Sequence, residues 1–377
     1  MQPSLPPICV HLVFLLSACF VSATAADADE KHANSSSPIR IGAILPLSGD
    51  GAFWGVNPKR GVELALQDLK AQPGTPPIDV IYEDDRCDPA AATSAFKKLT
   101  NVDNVKIILG PSCSSASLAV APLAAQAGVL LFPFSEADSI SGLGAGVFRL
   151  WSPNGRQARR LARHIKNTEQ VTSIAVLAIQ NAYGEDFIRA FKEEFERLNG
   201  QIVAEEEYLP DQFDARASLI RIKPKKPEAL LLASYIADGA AICRQARDLR
   251  VAPKLFGSST LNSPDFFSQT EGCAEGMKMF DLPDPTPTAF RSRWEAEFGE
   301  PWPGLQSGAP IFYDMMFFLV EAAARAGTEP AALGAHLSNG ARHVGKSLSL
   351  EFDSKHDLIA EHTLFEVKGN TLVAGSK

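Results

Sequence analysis

Two cysteines and the hydroxyls that follow the second are the residues best placed to do chemistry. Cys87 follows IDVIYED (78–84), the alternating pattern of a half-buried strand. Cys113 follows VKIIL (105–109), a continuous apolar run expected of a strand covered on both faces by helices. Both therefore stand at strand ends on the same edge, and a bridge between them would close a loop of 26 positions. In an oxidising compartment that closure is worth roughly 3 kcal/mol in the chain-entropy model. Ser114 and Ser115 come next, at the start of a helical segment, which implies an exported fold with a ligand-gripping turn.

Other constellations argue against catalysis. Gly340-Ala341-Arg342-His343-Val344-Gly345-Lys346-Ser347 satisfies the phosphate-loop spacing, but that motif needs a strand before it and a helix after it. Here a helical segment precedes and the alternating SLSLEFD follows, so the context is inverted. No G-x-S-x-G elbow, H-E-x-x-H pair or C-x-x-C motif occurs, and the seven histidines lack metal-ligand spacing. His343, His356 and His362 are expected at the surface. The adjacent Asp84 and Asp85 could suggest acid chemistry or a cation site, although a helix-entry cap and a solvated turn are the commoner use of such a pair. The chain is expected not to be an enzyme and to need no cofactor or metal.

The N-terminus sets the compartment. An apolar core from Leu12 to Val21 is followed by Ala23-Thr24-Ala25 and then by acidic residues from Asp27, the pattern of a cleaved secretory signal over 1–25. Leu16-Ser17-Ala18-Cys19 also resembles a bacterial lipoprotein signal, which would make Cys19 an acylated first residue. Cleavage leaves about 350 residues, enough for two domains with proper cores. Four cysteines remain, and the second expected bridge joins Cys243 to Cys273. A formal net charge of −8 argues against nucleic acid or an anionic membrane as partner.

The elements that must position these residues alternate regularly. Strand-like IRIGAIL, IDVIYED, VKIIL and VLLFPF are separated by helical segments at 54–70, 89–101 and 114–127. A second series runs through helix 154–167, TSIAVLAI, helix 184–199, QIVAEEEYL, a short helix near 214–222, EALLLAS, helix 237–249 and KLFGS. Such alternation means parallel sheets with helices on both faces, and the strands are too many for one small sheet. The expectation is an α/β fold of two doubly wound lobes. Breaks near Arg149 to Pro153 and in the Pro-rich Asp281 to Thr288 mark crossings between them. Helices at 288–298, 309–326 and 330–338 follow, and then a final strand pair, SLSLEFD and EHTLFEVKGNTLV. Lobes of 38–150 plus 286–342 and 151–285 plus 343–377, joined by a hinge of several crossings, would leave a cleft suited to a small molecule.

IGAILPLSGDGAFWG, EDDRCDP, ILGPSCSS, Phe148-Arg149, NAYGED and Ala274-Glu275-Gly276-Met277 occur in an order that resembles the periplasmic solute-binding proteins of the branched-chain amino acid class, which serve ABC importers. The resemblance covers nearly the whole mature chain. It implies a type I periplasmic-binding architecture, a ligand held mainly by the first lobe and trapped by the second, ABC permease subunits as partners, a periplasmic location and a monomer. Ser114 falls where the family holds a ligand carboxylate with a hydroxyl and helix N-terminal amides, a helix cap being the plainer role. Trp54 falls at an aromatic wall, and Tyr183 and Tyr235 reach over the cleft from the second lobe; packing is the alternative for each.

The departures concern the ligand. After the fourth strand the segment is Ser135-Glu136-Ala137, with Ala137 where the family carries Thr. The family's acid for a ligand ammonium is replaced by Ser259 within Ser258-Ser259-Thr260. Glu136 could supply that charge from the other lobe, or could be a surface carboxylate or a cap. The first case suits an amino acid or amide; the second suits a neutral or anionic molecule such as an aromatic carboxylate on Trp54. A ligand-sensing accessory subunit for a signalling partner is the alternative to import.

Overall fold

The structure, a computed structural model, describes residues 38–210, 214–346 and 348–375. The signal segment, Cys19 and Ser347 lie outside the described residues. From Pro38 onward the chain forms one compact unit built on two large sheets and a separate two-stranded ribbon.

The first sheet is wholly parallel. Strands β1 (Ile39–Leu45), β2 (Ile78–Asp84), β3 (Ile107–Leu109) and β4 (Leu130–Phe132) lie in the order β2-β1-β3-β4. The crossovers are α1 (Phe53–Lys70), α2 (Pro89–Asn101) and α3 (Ser114–Ala127). Asp88 caps α2 by accepting from the Ala91 amide at 2.7 Å, with Pro89 at the first helical position. The cap is thus Asp88 rather than Asp84 or Asp85. Asp84 instead ties the turn after β1, accepting from the Leu47 and Arg86 amides and the Ser48 hydroxyl, while Asp85 is fully buried and takes the Cys87 amide.

The second sheet collects α4 (Asn154–Asn167), β5 (Ser173–Ile179), α5 (Ala182–Arg197), β6 (Gln201–Tyr208), α6 (Arg216–Ile222), β7 (Ala229–Ala233), α7 (Ile236–Leu249), β8 (Lys254–Gly257), α8 (Pro264–Gln269) and β9 (Lys278–Asp281). Then come α9 (Thr288–Phe298), α10 (Ala309–Ala326), α11 (Pro330–Ser338), β10 (His343–Val344), β11 (Ser349–Leu350), β12 (Thr363–Lys368) and β13 (Thr371–Ala374). The seven strands run β13-β12-β9-β8-β7-β5-β6, parallel from β9 to β6 and antiparallel from β9 to β13. β7 reads ALLLA and is buried at every position, as a strand covered on both faces must be.

Two expectations are corrected. The last strands are not one pair: β11 turns back on β10, whereas β12 and β13 form their own hairpin and extend the second sheet through β9. The phosphate-loop look-alike is this β10–β11 turn, with Lys346 bound to Asp314 and Tyr313. His343 and His362 are buried rather than on the surface. The His343 ring stacks on Phe318, and that of the half-buried His356 on Phe148 at 4.3 Å between centroids.

Phe352 also packs on Phe148 and Phe318, and Arg149 binds Asp357. These contacts tie residues 343–357 to Phe148, Arg149 and Phe318. Two disulfides, Cys87–Cys113 and Cys243–Cys273, staple the turn after β2 to the start of α3, and α7 to the turn before β9.

Candidate functional site

The carboxyl ends of both sheets face each other, where open α/β sheets bind ligands. Between them lies a narrow cavity of about 30 Å³. Six of the eight residues singled out from the sequence line it: Trp54, Ser114, Ser135, Glu136, Tyr183 and Tyr235. Ala137 and Ser259 stand one layer back.

The turn between β3 and α3 supplies the polar floor. Gly110 has φ +86°, and a Cβ there would lie 2.0 Å from the Ile44 carbonyl oxygen, so only glycine lets this turn press against β1. The turn carries Ser112 and Ser114 to the cavity wall. No side chain caps α3, which leaves its first-turn amides and positive dipole end without an intrahelical partner. The Ser112 hydroxyl is buried with no hydrogen-bond partner, and the Ser114 hydroxyl accepts from the Ala137 amide at 3.2 Å. Ser135 is turned back on Ser117 and the Pro111 carbonyl. Together the floor offers hydroxyl and amide donors to an anionic group.

Aromatic rings form the walls. Trp54 meets Tyr235 at 5.1 Å between centroids, and Tyr235 stacks on Tyr183 at 5.6 Å. Phe134 and Trp151 make an edge-on pair opposite. The Tyr183 hydroxyl bonds the Thr260 hydroxyl at 2.9 Å, and Asn181 donates to the Tyr235 oxygen. Burial pushes both phenols above their ordinary range, so they face the cavity as neutral groups.

Glu136 closes the far end. It is 7% exposed, and its carboxyl accepts from Gln157 Nε2 at 2.8 Å and from Ser259 Oγ at 3.1 Å. Gln157 sits on α4 and Ser259 follows β8, so this network joins the loop after β4 to the second sheet. Burial, reinforced by the charge of Asp281, pushes the Glu136 carboxyl up to about 8. Ala137 occupies the position expected of Thr with an amide aimed at Ser114, and Ser259 buttresses Glu136.

Sequence reading missed Ser112, Phe134, Trp151, Thr260 and Gln306, which also line the cavity. Ser112 and Thr260 flank residues already named, so the hydroxyl runs themselves were the signal. Trp151 and Gln306 carry no local signal and arrive by the chain crossings.

This architecture, two doubly wound sheets closing on a polar and aromatic cavity, is that of a type I periplasmic binding protein. A family model described as periplasmic binding protein matches residues 38–368, and the chain belongs to that family. The family is one of binding proteins for transport, and no helix among the described residues is long and apolar enough to cross a membrane.

The Leu/Ile/Val-binding protein BraC3 of Rhizobium johnstonii is 26% identical over 252 residues, 66% of this chain and 68% of that one. A leucine-binding protein of Thermotoga maritima superposes with a TM-score of 0.81 at 20% identity, covering 90% of this chain and 98% of its own. A solute-binding protein of an ABC transporter from R. palustris, in complex with benzoate, reaches 0.80 at 21% identity, covering 89% and 95%. These two solved structures share the fold.

Proposed function

We propose that this protein captures a small carboxylate-bearing solute, an amino acid or a related acid or amide, between its lobes and delivers it to the permease subunits of an ABC importer. One observation carries the reading: the donor-rich start of α3, with Ser112 and Ser114, faces the buried Glu136 along an aromatic-walled cavity. The ligand carboxylate is placed on Ser112, Ser114 and the α3 amides, and its ammonium beside Glu136. Trp54, Tyr183 and Tyr235 cover the side chain. Ser135, Ala137 and Ser259 hold the frame of the site. The Leu/Ile/Val-binding relative supports an amino acid.

The five aromatic rings favour a second reading, an aromatic carboxylate without an amine, in line with the benzoate complex of the R. palustris relative. On both readings the protein works as a periplasmic monomer. Its lobes are 38–150 plus 286–342 and 151–285 plus 343–377, and it is exported by the 1–25 signal or anchored through Cys19.

The experiment is a thermal-shift screen of chain starting at Ala26, unfolded and refolded to strip carried-over solute, against amino acids, amides and aromatic and short-chain acids. Ligand at 100 times its dissociation constant adds about 2.7 kcal/mol, a shift of a few degrees. No shift with any of them would remove the solute-capture reading in favour of sensing an untested molecule.

A further inference from the structure

Glu136 is surrounded by neutral donors only. Its carboxyl meets the Gln157 amide and the Ser259 hydroxyl, and the Trp151 indole N–H is turned toward it without completing a hydrogen bond. The nearby cation, Arg149, is committed elsewhere. Its guanidinium grips Asp357 and Ser141, and it reaches Glu136 and Ala137 only at their backbone carbonyls. The remaining titratable groups facing Glu136 are Asp281 and the phenols of Tyr183 and Tyr235.

Asp281, at the end of β9, is a second carboxylate, 1% exposed. Asn262 Nδ2 donates to it at 2.6 Å, the Leu282 amide at 2.7 Å, and Gln306 Nε2 at 2.9 Å. Gln306 itself lines the cavity, so Asp281 sits directly behind the wall. Asn262, whose amide donates to the Ser259 carbonyl at 2.8 Å, and Gln306 tie Asp281 to the wall that carries Glu136. Two buried carboxylates on one wall, with Arg149 spent on Asp357, do not both stay ionised. Burial pushes the Asp281 carboxyl up as well, to about 7, but its three N–H donors pull the other way and suit its carboxylate form. Glu136 has a hydroxyl neighbour able to accept as well as donate, so the proton belongs on Glu136.

We infer that Asp281 is a specificity-determining residue acting through Glu136: it keeps a proton on Glu136 in the empty site, and the site selects solutes whose cationic group replaces that proton. This rests on the amine reading proposed above. The exchange balances in charge: an ammonium enters, Glu136 ionises, and one proton leaves to solvent. A solute lacking the amine leaves the proton in place.

Two measurements test it. The first needs no ligand. A carboxyl with raised folded-state pKa gives stability that is complete below its unfolded value and is lost as pH climbs toward the folded value, so melting temperature falls between about pH 4.5 and 8. Glu136→Gln should flatten that fall, and Asp281→Asn should move it to lower pH. Equal slopes in wild type and Glu136→Gln overturn the protonated Glu136.

The second is calorimetry at pH 7 in phosphate and in Tris. The probes are leucine against 4-methylpentanoate and phenylalanine against 3-phenylpropanoate, each pair differing only in the amine. Expected are release of close to one proton with the amino acid and at least tenfold weaker binding of its partner without release. Amino-acid binding without release overturns the coupling but leaves the amine reading standing. Binding of the amine-free acids alone overturns the amine reading and the selection, while the first measurement still judges the proton.

Discussion

At the scale of single residues, Ser114 and the Arg149–Asp357 pair have defined partners, so changes there read out clearly. Ser114 accepts from the Ala137 amide and borders the cavity beside the uncapped start of α3. Ser114→Ala is expected to weaken ligand binding by about 1–3 kcal/mol, measured by calorimetry, if the hydroxyl meets a charged group. Unchanged affinity would assign Ser114 to the local turn alone. Arg149 and Asp357 form an ion pair with side chains 1% and 2% exposed. Asp357→Ala leaves the guanidinium buried without its partner, an expected loss of about 3–5 kcal/mol in denaturant unfolding. A loss under 1 kcal/mol would mean that solvent reaches the arginine.

At the scale of elements, the strand-to-helix turns do the positioning. The Cys87–Cys113 bridge spans 26 positions and fastens the turn after β2 to the one that opens α3. Replacing both cysteines with serine is expected to cost roughly 3 kcal/mol in unfolding free energy from the freed loop. The same change should weaken ligand binding, since Cys113 lines the cavity. Full stability in the double variant would show that the hydrophobic packing of α2 on α3 already fixes the turn.

At the scale of the whole molecule, contacts across the cleft hold the two sheets face to face. The Ser139 amide and hydroxyl donate to Asp186 at the start of α5, at 3.0 and 2.7 Å, and Asp138 takes the Gly155 amide at the start of α4. Asp186→Ala removes two bonds to a carboxylate, each worth about 1.5–3 kcal/mol. Solution scattering of the ligand-free variant should give a larger radius of gyration than the parent, with weaker ligand binding. An unchanged radius would place the closing force in the Glu136–Gln157–Ser259 network.

Local pattern was sufficient for much of this. Helices 89–101, 114–127, 154–167, 309–326 and 330–338 have the bounds expected from sequence, because apolar periodicity and their flanking residues end where the helices end. The alternation of strands and helices was legible for the same reason, and the cysteine pairings from the strand ends that Cys87 and Cys113 follow and from the even count that leaves Cys243 and Cys273. β9 went unread because KMFD is four residues long and takes its strand identity from pairing with β8 and β12. Nor could pattern tell whether Glu136 faces solvent or the cleft, or bring Trp151 and Gln306 to the same wall. Those facts belong to the crossings of the chain, which set residues far apart in sequence within reach of one cavity and out of reach of water.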